Sequence, residues 1–198
     1  MVSHSGLLTV MERAARKAGA KLRRDFGEVE HLQVSRKGPA DFVSKADHQA
    51  EKTLVEELQK ARPDWGFLLE EGGEIAGDPT KPRWIIDPLD GTTNFIHGFP
   101  QYCVSIALQQ KGVITQAVVY DPSRNEMFTA TKGAGAFLND KRIRVSRCDK
   151  LVDALIGTGF PYRDFRGLDQ YMDMFKLMTT KCQGLRRPGS AALDLAYV

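Results

Sequence analysis

The residues best suited to chemistry lie in the stretch Trp84-Ile85-Ile86-Asp87-Pro88-Leu89-Asp90-Gly91-Thr92-Thr93-Asn94-Phe95. Trp84, Ile85 and Ile86 are bulky strand formers. Pro88 offers no N–H to a ladder, so the strand is expected to stop there. Asp87 and Asp90 then share one tight bend. Gly91 allows a backbone to approach a ligand closely. Thr92-Thr93-Asn94 carries N-cap chemistry and predicts a short helix. The N–H groups and positive dipole end of a helix start suit an anion. Two carboxylates beside such a start make sense if hard cations bridge them to a phosphate. A D-x-x-D at a strand end is by itself more often a solvated turn. Here it coincides with an apolar run before it and Gly-Thr-Thr after it. Upstream, Phe67-Leu68-Leu69 is a second short apolar strand, and it ends in Glu70-Glu71-Gly72-Gly73. Adjacent strand ends can bring their acids into one cluster.

Three ordered motifs, D-F-V-S-K-A-D (Asp41 to Asp47), E-E-G-G (Glu70 to Gly73) and D-P-L-D-G-T-T-N-F (Asp87 to Phe95), resemble the inositol monophosphatase family. The third motif is highly specific. The resemblance runs from the first helix to the last residue, but the family's later W-D-x-A-A-G motif does not occur in this sequence. It implies an α/β fold, a layered α/β/α/β/α sandwich of the sugar phosphatase type, with residues 1–198 as a single domain lacking its C-terminal part. It implies a Mg2+-dependent, lithium-sensitive phosphomonoester hydrolase that uses a metal-activated water on myo-inositol monophosphate. Superfamily alternatives act on fructose 1,6-bisphosphate or on a 3'-phosphoadenosine nucleotide.

The same resemblance assigns roles. Asp87 would bridge two metals, with Glu70 and the main-chain carbonyl of Leu89 completing the first site. Asp90 would serve the second. Glu70, Thr92 and Asp47 would be catalytic, the Thr92 hydroxyl pairing with Asp47 to orient the attacking water. Leu89, Asp90, Gly91 and Thr92 would line the phosphate and substrate. Arg186, Gly189, Ser190 and Ala191 match the segment that meets the sugar or polyol. Without the resemblance, Asp47 reads as a helix-start acid, Ser190 as a plain N-cap and Glu71 as a charged neighbour. Lys37 lies near a loop that approaches the phosphate in relatives. His97 receives no role, and no Ser/His/Asp, Cys/His or phosphate-loop pattern suggests other chemistry.

The chain has ordinary globular composition, 42% hydrophobic and 27% charged, and is long enough to bury a sizeable core. Its net charge of +3 and lack of long basic runs argue against an obligate nucleic-acid binder. Lys21 to Arg24 and Arg186-Arg187 are small basic knots. No apolar run is long enough for a membrane span, and Met1 to Gly6 does not read as a signal peptide. Cys103, Cys148 and Cys182 are odd in number and widely spaced, which fits reduced thiols in the cytoplasm. Family relatives imply a homodimer, and some associate with RNA polymerase or RNA.

The elements that must position the motifs are legible in part. Helical spacing predicts an amphipathic helix over Ser5 to Asp25, stopped at Gly27, then an extended Glu28 to Val34 and a loop at Lys37 to Ala40. Ser44 to Asp47 has capping-box spacing and opens a helix ending before Pro63. Glu74 to Pro82 reads as a loop. Tyr102 to Gln109, Val113 to Tyr120 and Glu126 to Thr131 form an antiparallel meander. A break at Gly133 to Gly135 and a turn at Asn139 to Lys141 precede a strand over Ile143 to Val145. Leu155-Ile156 is a short strand. Leu168 to Thr180 is a helix whose Tyr171, Met174, Phe175 and Met178 are expected in the core. Ser190 caps a final helix that Val198 interrupts. On that reading the native protein is expected to continue, and these residues alone are expected to be nearly inactive.

Overall fold

The computed structural model describes residues 5–26, 34–36, 42–161 and 164–198. The expected stop at Gly27, most of the extended Glu28 to Val34 stretch, the loop around Lys37 and the start of the first motif at Asp41 lie outside them. Helix α1 (Gly6–Phe26) and helix α2 (Lys45–Ala61) follow the 3.6 periodicity of their apolar residues. Ser5 Oγ accepts the Leu8 N–H at 3.2 Å and starts α1. Short strands β1 (Val34–Arg36) and β2 (Phe42–Ser44) pair antiparallel before α2.

Strands β3 (Gly66–Leu69), β4 (Gly73–Ile75), β5 (Arg83–Asp90), β6 (Cys103–Gln110), β7 (Val113–Asp121), β8 (Glu126–Thr131), β9 (Gly135–Leu138) and β10 (Lys141–Ile143) form one mixed sheet. Its order is β10-β9-β8-β7-β6-β5-β3-β4. The β3–β5 pair is parallel and the other pairs are antiparallel. Helices α1 and α2 cover one face. Met11, Ala14, Ala15, Ala18 and Leu22 of α1, with Ala50, Leu54 and Leu58 of α2, pack on Trp84, Ile86, Ile106 and Leu108. A Cβ at Gly19 would stand 2.6 Å from the Tyr120 ring, so glycine lets α1 lie this close to β7.

The short α3 (Thr92–Ile96) follows β5. Helix α5 (Ala191–Ala196) covers the other sheet face, where Leu193 packs with Cys103 and Phe128. Beyond it lies a two-stranded parallel sheet of β11 (Leu155–Gly157) and β12 (Gly184–Arg186), and then α4 (Leu168–Thr179). Helices and sheets therefore alternate in layers, as the resemblance implies.

Four expectations need correction. The loop at Glu74 to Pro82 begins later, because Gly73 at φ +74° turns the chain and pairs Glu74 with Leu68. The strand expected at Ile143 to Val145 runs instead over Lys141–Ile143, and Val145 is exposed. Strands β9 and β12 were not foreseen at all. Finally, α4 has no buried residue. Met174 is 60% exposed, while Tyr171 and Phe175 stack with Phe160. Periodicity marked its apolar face correctly, but only a two-stranded sheet lies beneath it.

Candidate functional site: an acidic cluster at the ends of β3 and β5

Strand β5 does not stop at Pro88. It continues to Asp90 through a bulge, with Asp87 opposite Ser105 and Asp90 opposite Cys103. Pro88 and Leu89 together oppose Val104. A proline without an N–H is tolerated where the ladder is already broken. The bulge sets the two aspartates on one short bend. Asp87 Oδ1 accepts the Leu89 N–H at 3.1 Å and pins it.

The parallel β3–β5 pairing continues one step past Leu69, because the Glu70 N–H donates to the Ile86 carbonyl at 3.2 Å. That places Glu70 beside Asp87. The Asp87 carboxyl is pushed up to about 9, first by burial, then by the charges of Glu70 and Asp90, and by a hydrogen bond to Glu70. Ionising both carboxyls at once is disfavoured there. The turn after Glu70 is held by Glu51 of α2, whose Oε2 accepts the N–H groups of Glu71 at 3.1 Å and Gly72 at 3.3 Å.

Asp90 faces the other way. Its Oδ2 accepts the Ser190 hydroxyl at 2.6 Å and the Ala192 N–H at 2.7 Å. The expected cap of α5 is thereby corrected. Ser190 occupies the N-cap position but makes no side-chain cap bond, and the carboxylate of Asp90 does the capping. Serine instead donates its hydroxyl proton to that carboxylate. Cys103 lies against the same oxygen, and its thiol is pushed up by burial and then by Asp90.

Helix α3 starts differently from expectation. Gly91, at φ +93°, is its N-cap residue, and no threonine or asparagine side chain caps it. A Cβ at Gly91 would stand 2.7 Å from the Gln101 carbonyl. The Thr92 hydroxyl donates to the Leu89 carbonyl at 2.8 Å. The first-turn N–H groups of a helix lack partners within the helix, and here they follow the two aspartates directly. Asn94 donates both amide hydrogens, to the carbonyls of Gln101 and Pro188 at 2.8 Å each. It thus ties α3 to the segment that carries Gly189, Ser190 and Ala191.

The structure therefore brings together Glu70, Asp87, Leu89, Asp90, Gly91, Thr92, Gly189, Ser190 and the start of α5 at Ala191. Asp47 is buried in the first turn of α2, one turn from Glu51. Arg186 is exposed, its guanidinium folded back on the Leu185 carbonyl. Its neighbour Arg187 lies over the Phe160 ring. Glu51 and Asn94 were missed as site residues. The i, i+4 spacing of Glu51 from Asp47 on the otherwise apolar face of α2 was the available signal for the first.

Among the described residues, no three His, Cys, Asp or Glu side chains form a ready-made metal cluster. The Glu70 and Asp87 carboxyls nevertheless lie in hydrogen-bond contact at the adjacent ends of β3 and β5. With the nearby Leu89 carbonyl, they are hard oxygen donors of the kind that Mg2+ takes with water and phosphate. The residues present fit such an ion.

A profile of the inositol monophosphatase family matches residues 4–198. The chain belongs to the inositol monophosphatase family, a family of phosphatases. It is 53% identical to the inositol-1-monophosphatase of Rhizobium meliloti, over the whole of this chain and 74% of that protein. It is 47% identical to the Nus factor SuhB of Pseudomonas aeruginosa, over 97% of this chain and 72% of that one. The crystal structure of extragenic suppressor protein suhB from Bartonella henselae superimposes with a TM-score of 0.95 at 52% identity, covering 98% of this chain and 74% of that one.

Proposed function

We propose that this chain is a Mg2+-dependent phosphatase that hydrolyses myo-inositol monophosphate, working as a cytoplasmic homodimer. The observation that carries the reading is the Glu70–Asp87 carboxyl pair, set beside the Leu89 carbonyl and the start of α3. Glu70, Asp87, Leu89 and Asp90 would hold the metal. A bound Mg2+ would neutralise the ester's phosphate and acidify a water. The N–H groups of Gly91 and Thr92 hold phosphate oxygens. The Thr92 hydroxyl, with Asp47, orients the attacking water. Asp90, Gly189, Ser190, Ala191 and Arg186 receive the polyol. The 53% identity to an inositol-1-monophosphatase supports the substrate.

Phosphate release is to be measured with myo-inositol 1-phosphate, fructose 1,6-bisphosphate and a 3'-phosphoadenosine nucleotide. Fastest turnover of the first is expected, with Li+ inhibiting in competition with Mg2+. Preference for a bisphosphorylated substrate would overturn the assignment.

A second reading, association with RNA polymerase or RNA, is favoured by the 47% identity to a Nus factor SuhB. Capture of RNA polymerase by the wild-type chain and by Asp87→Asn alike would separate that role from catalysis. Capture by neither would remove it.

A further inference from the structure

Glu51 is a buried carboxylate, 8% exposed, on a helix face shared with Ala46, Asp47, Ala50, Leu54 and Leu58. A charged group is seldom left there without partners. Its partners are two backbone N–H groups of one turn, those of Glu71 and Gly72, both on Oε2. We propose that Glu51 is a positioning residue, whose bonds to the Glu71 and Gly72 N–H groups fix where the Glu70 carboxyl stands against Asp87 and so set the affinity for the divalent cation. This rests on the cation-dependent reading given above.

Glu70 is held from both sides. Its own N–H is bound to β5 through Ile86, and the next two N–H groups are bound to α2 through Glu51. The backbone at Glu70 therefore has little torsional freedom. The turn is close to both neighbours: a Cβ at Gly72 would stand 2.9 Å from Glu51 Oε1 and 2.9 Å from Leu69 Cδ1. Gly73 at φ +74° then turns the chain into β4. Without Glu51 the turn loses two hydrogen bonds, and Glu70 can swing from Asp87 at little cost.

The test compares the wild-type chain with Glu51→Gln and Glu51→Ala. Mg2+ binding is measured by calorimetry, and the Mg2+ dependence and KM by phosphate release from myo-inositol 1-phosphate. Loss of a partner that orients a metal ligand weakens metal binding roughly 10- to 100-fold. Glu51→Ala is expected to fall in that range, with KM for the ester at saturating Mg2+ little changed. Glu51→Gln should stay close to wild type, because one amide oxygen can accept both N–H groups. Equal Mg2+ constants for Glu51→Ala and wild type would overturn the proposal. So would a Glu51→Gln as weak as Glu51→Ala, since charge rather than hydrogen bonding would then be at work. Should Glu51→Ala fail to fold, amide exchange in the wild type decides, and unprotected Glu71 and Gly72 N–H groups refute the proposal. A wild type that binds Mg2+ but hydrolyses none of the esters would sink the proposed function alone.

Discussion

The Asp90 carboxylate caps a helix that begins a hundred residues later, accepting the Ala192 N–H at 2.7 Å on the oxygen that also takes the Ser190 hydroxyl. A residue expected to hold a metal thus also holds the start of α5 in place. Asp90→Ala should cost stability as well as activity. Loss of a helix cap typically costs ~0.5–2 kcal/mol. Ser190→Ala leaves the Ala192 bond intact and should cost less, ~0.5–1.5 kcal/mol for one hydrogen bond. Urea midpoints of the two variants would check the order. Equal losses would mean that the cap does not matter.

Asp87 gives a pH signature. Its folded-state carboxyl is raised to about 9 by burial and by Glu70 and Asp90, against 3.8 for the ordinary group. Between those values the folded chain keeps a proton that the unfolded chain releases. Stability without Mg2+ should therefore fall as pH rises from about 4 to about 9, and level off outside that window. Asp87→Asn needs no proton uptake on folding, so its thermal midpoint in chelator at neutral pH should exceed wild type while hydrolysis is lost. Each kcal/mol gained should appear as roughly 2–4 °C. Mg2+ binding at neutral pH should also release a proton from the wild type, and less from the variant. A wild-type midpoint flat across that pH range would contradict the raised Asp87 carboxyl.

The motifs themselves were legible because they are local: the spacing of Asp87, Asp90 and Gly91 is chain geometry, and so is the acid pair after Leu69. What could not be read depends on distant partners. Ser190 has the right type for an N-cap, but Asp90 reaches the helix first. Pro88 breaks a regular ladder, yet here it sits in a bulge that β6 accommodates. Glu51 shares a face of α2 with Asp47, but its role shows only when the β3–β4 turn is laid against it. Strand β12 has three residues and no alternation to announce it, and is defined by its partner β11. In α4 the spacing gives an apolar face, and nothing in spacing tells how much will cover it.

Thr92 offers a kinetic test. Its hydroxyl donates to the Leu89 carbonyl in this structure. If Leu89 O and Asp47 serve the roles proposed here, the hydroxyl acts on the attacking water, which matters chiefly in the transition state. Thr92→Ala should then lower kcat by roughly 10²–10⁴-fold, the usual range for a positioned proton-handling group, with little change in KM. Thr92→Ser should recover much of that loss. A rise in KM alone would make Thr92 a binding residue.

Asn94 permits a sharper comparison. Its amide donates to two carbonyls, those of Gln101 and Pro188, from segments far apart in sequence. Both acceptors converge on one nitrogen, so the side chain must present a donor there. Asn94→Ala removes the donor and leaves two carbonyls to find water. An unsatisfied buried polar group costs ~1–3 kcal/mol, and two partly buried ones fall in the same range. Asn94→Asp has nearly the same shape but puts a carboxylate against both carbonyls. It should therefore be worse than alanine at neutral pH, despite being the closer isostere. Protonation would restore one donor, so the Asp variant should regain stability as pH falls, while the Ala variant should not show that recovery. Both should raise KM for the phosphate ester, because the Gly189 to Ala191 segment is no longer held to α3. Urea midpoints at two pH values, read with KM at neutral pH, would check this. An Asn94→Asp as stable as wild type at neutral pH would mean that the nitrogen is not the atom facing the two carbonyls, and the tie between α3 and the substrate segment would have to be sought elsewhere.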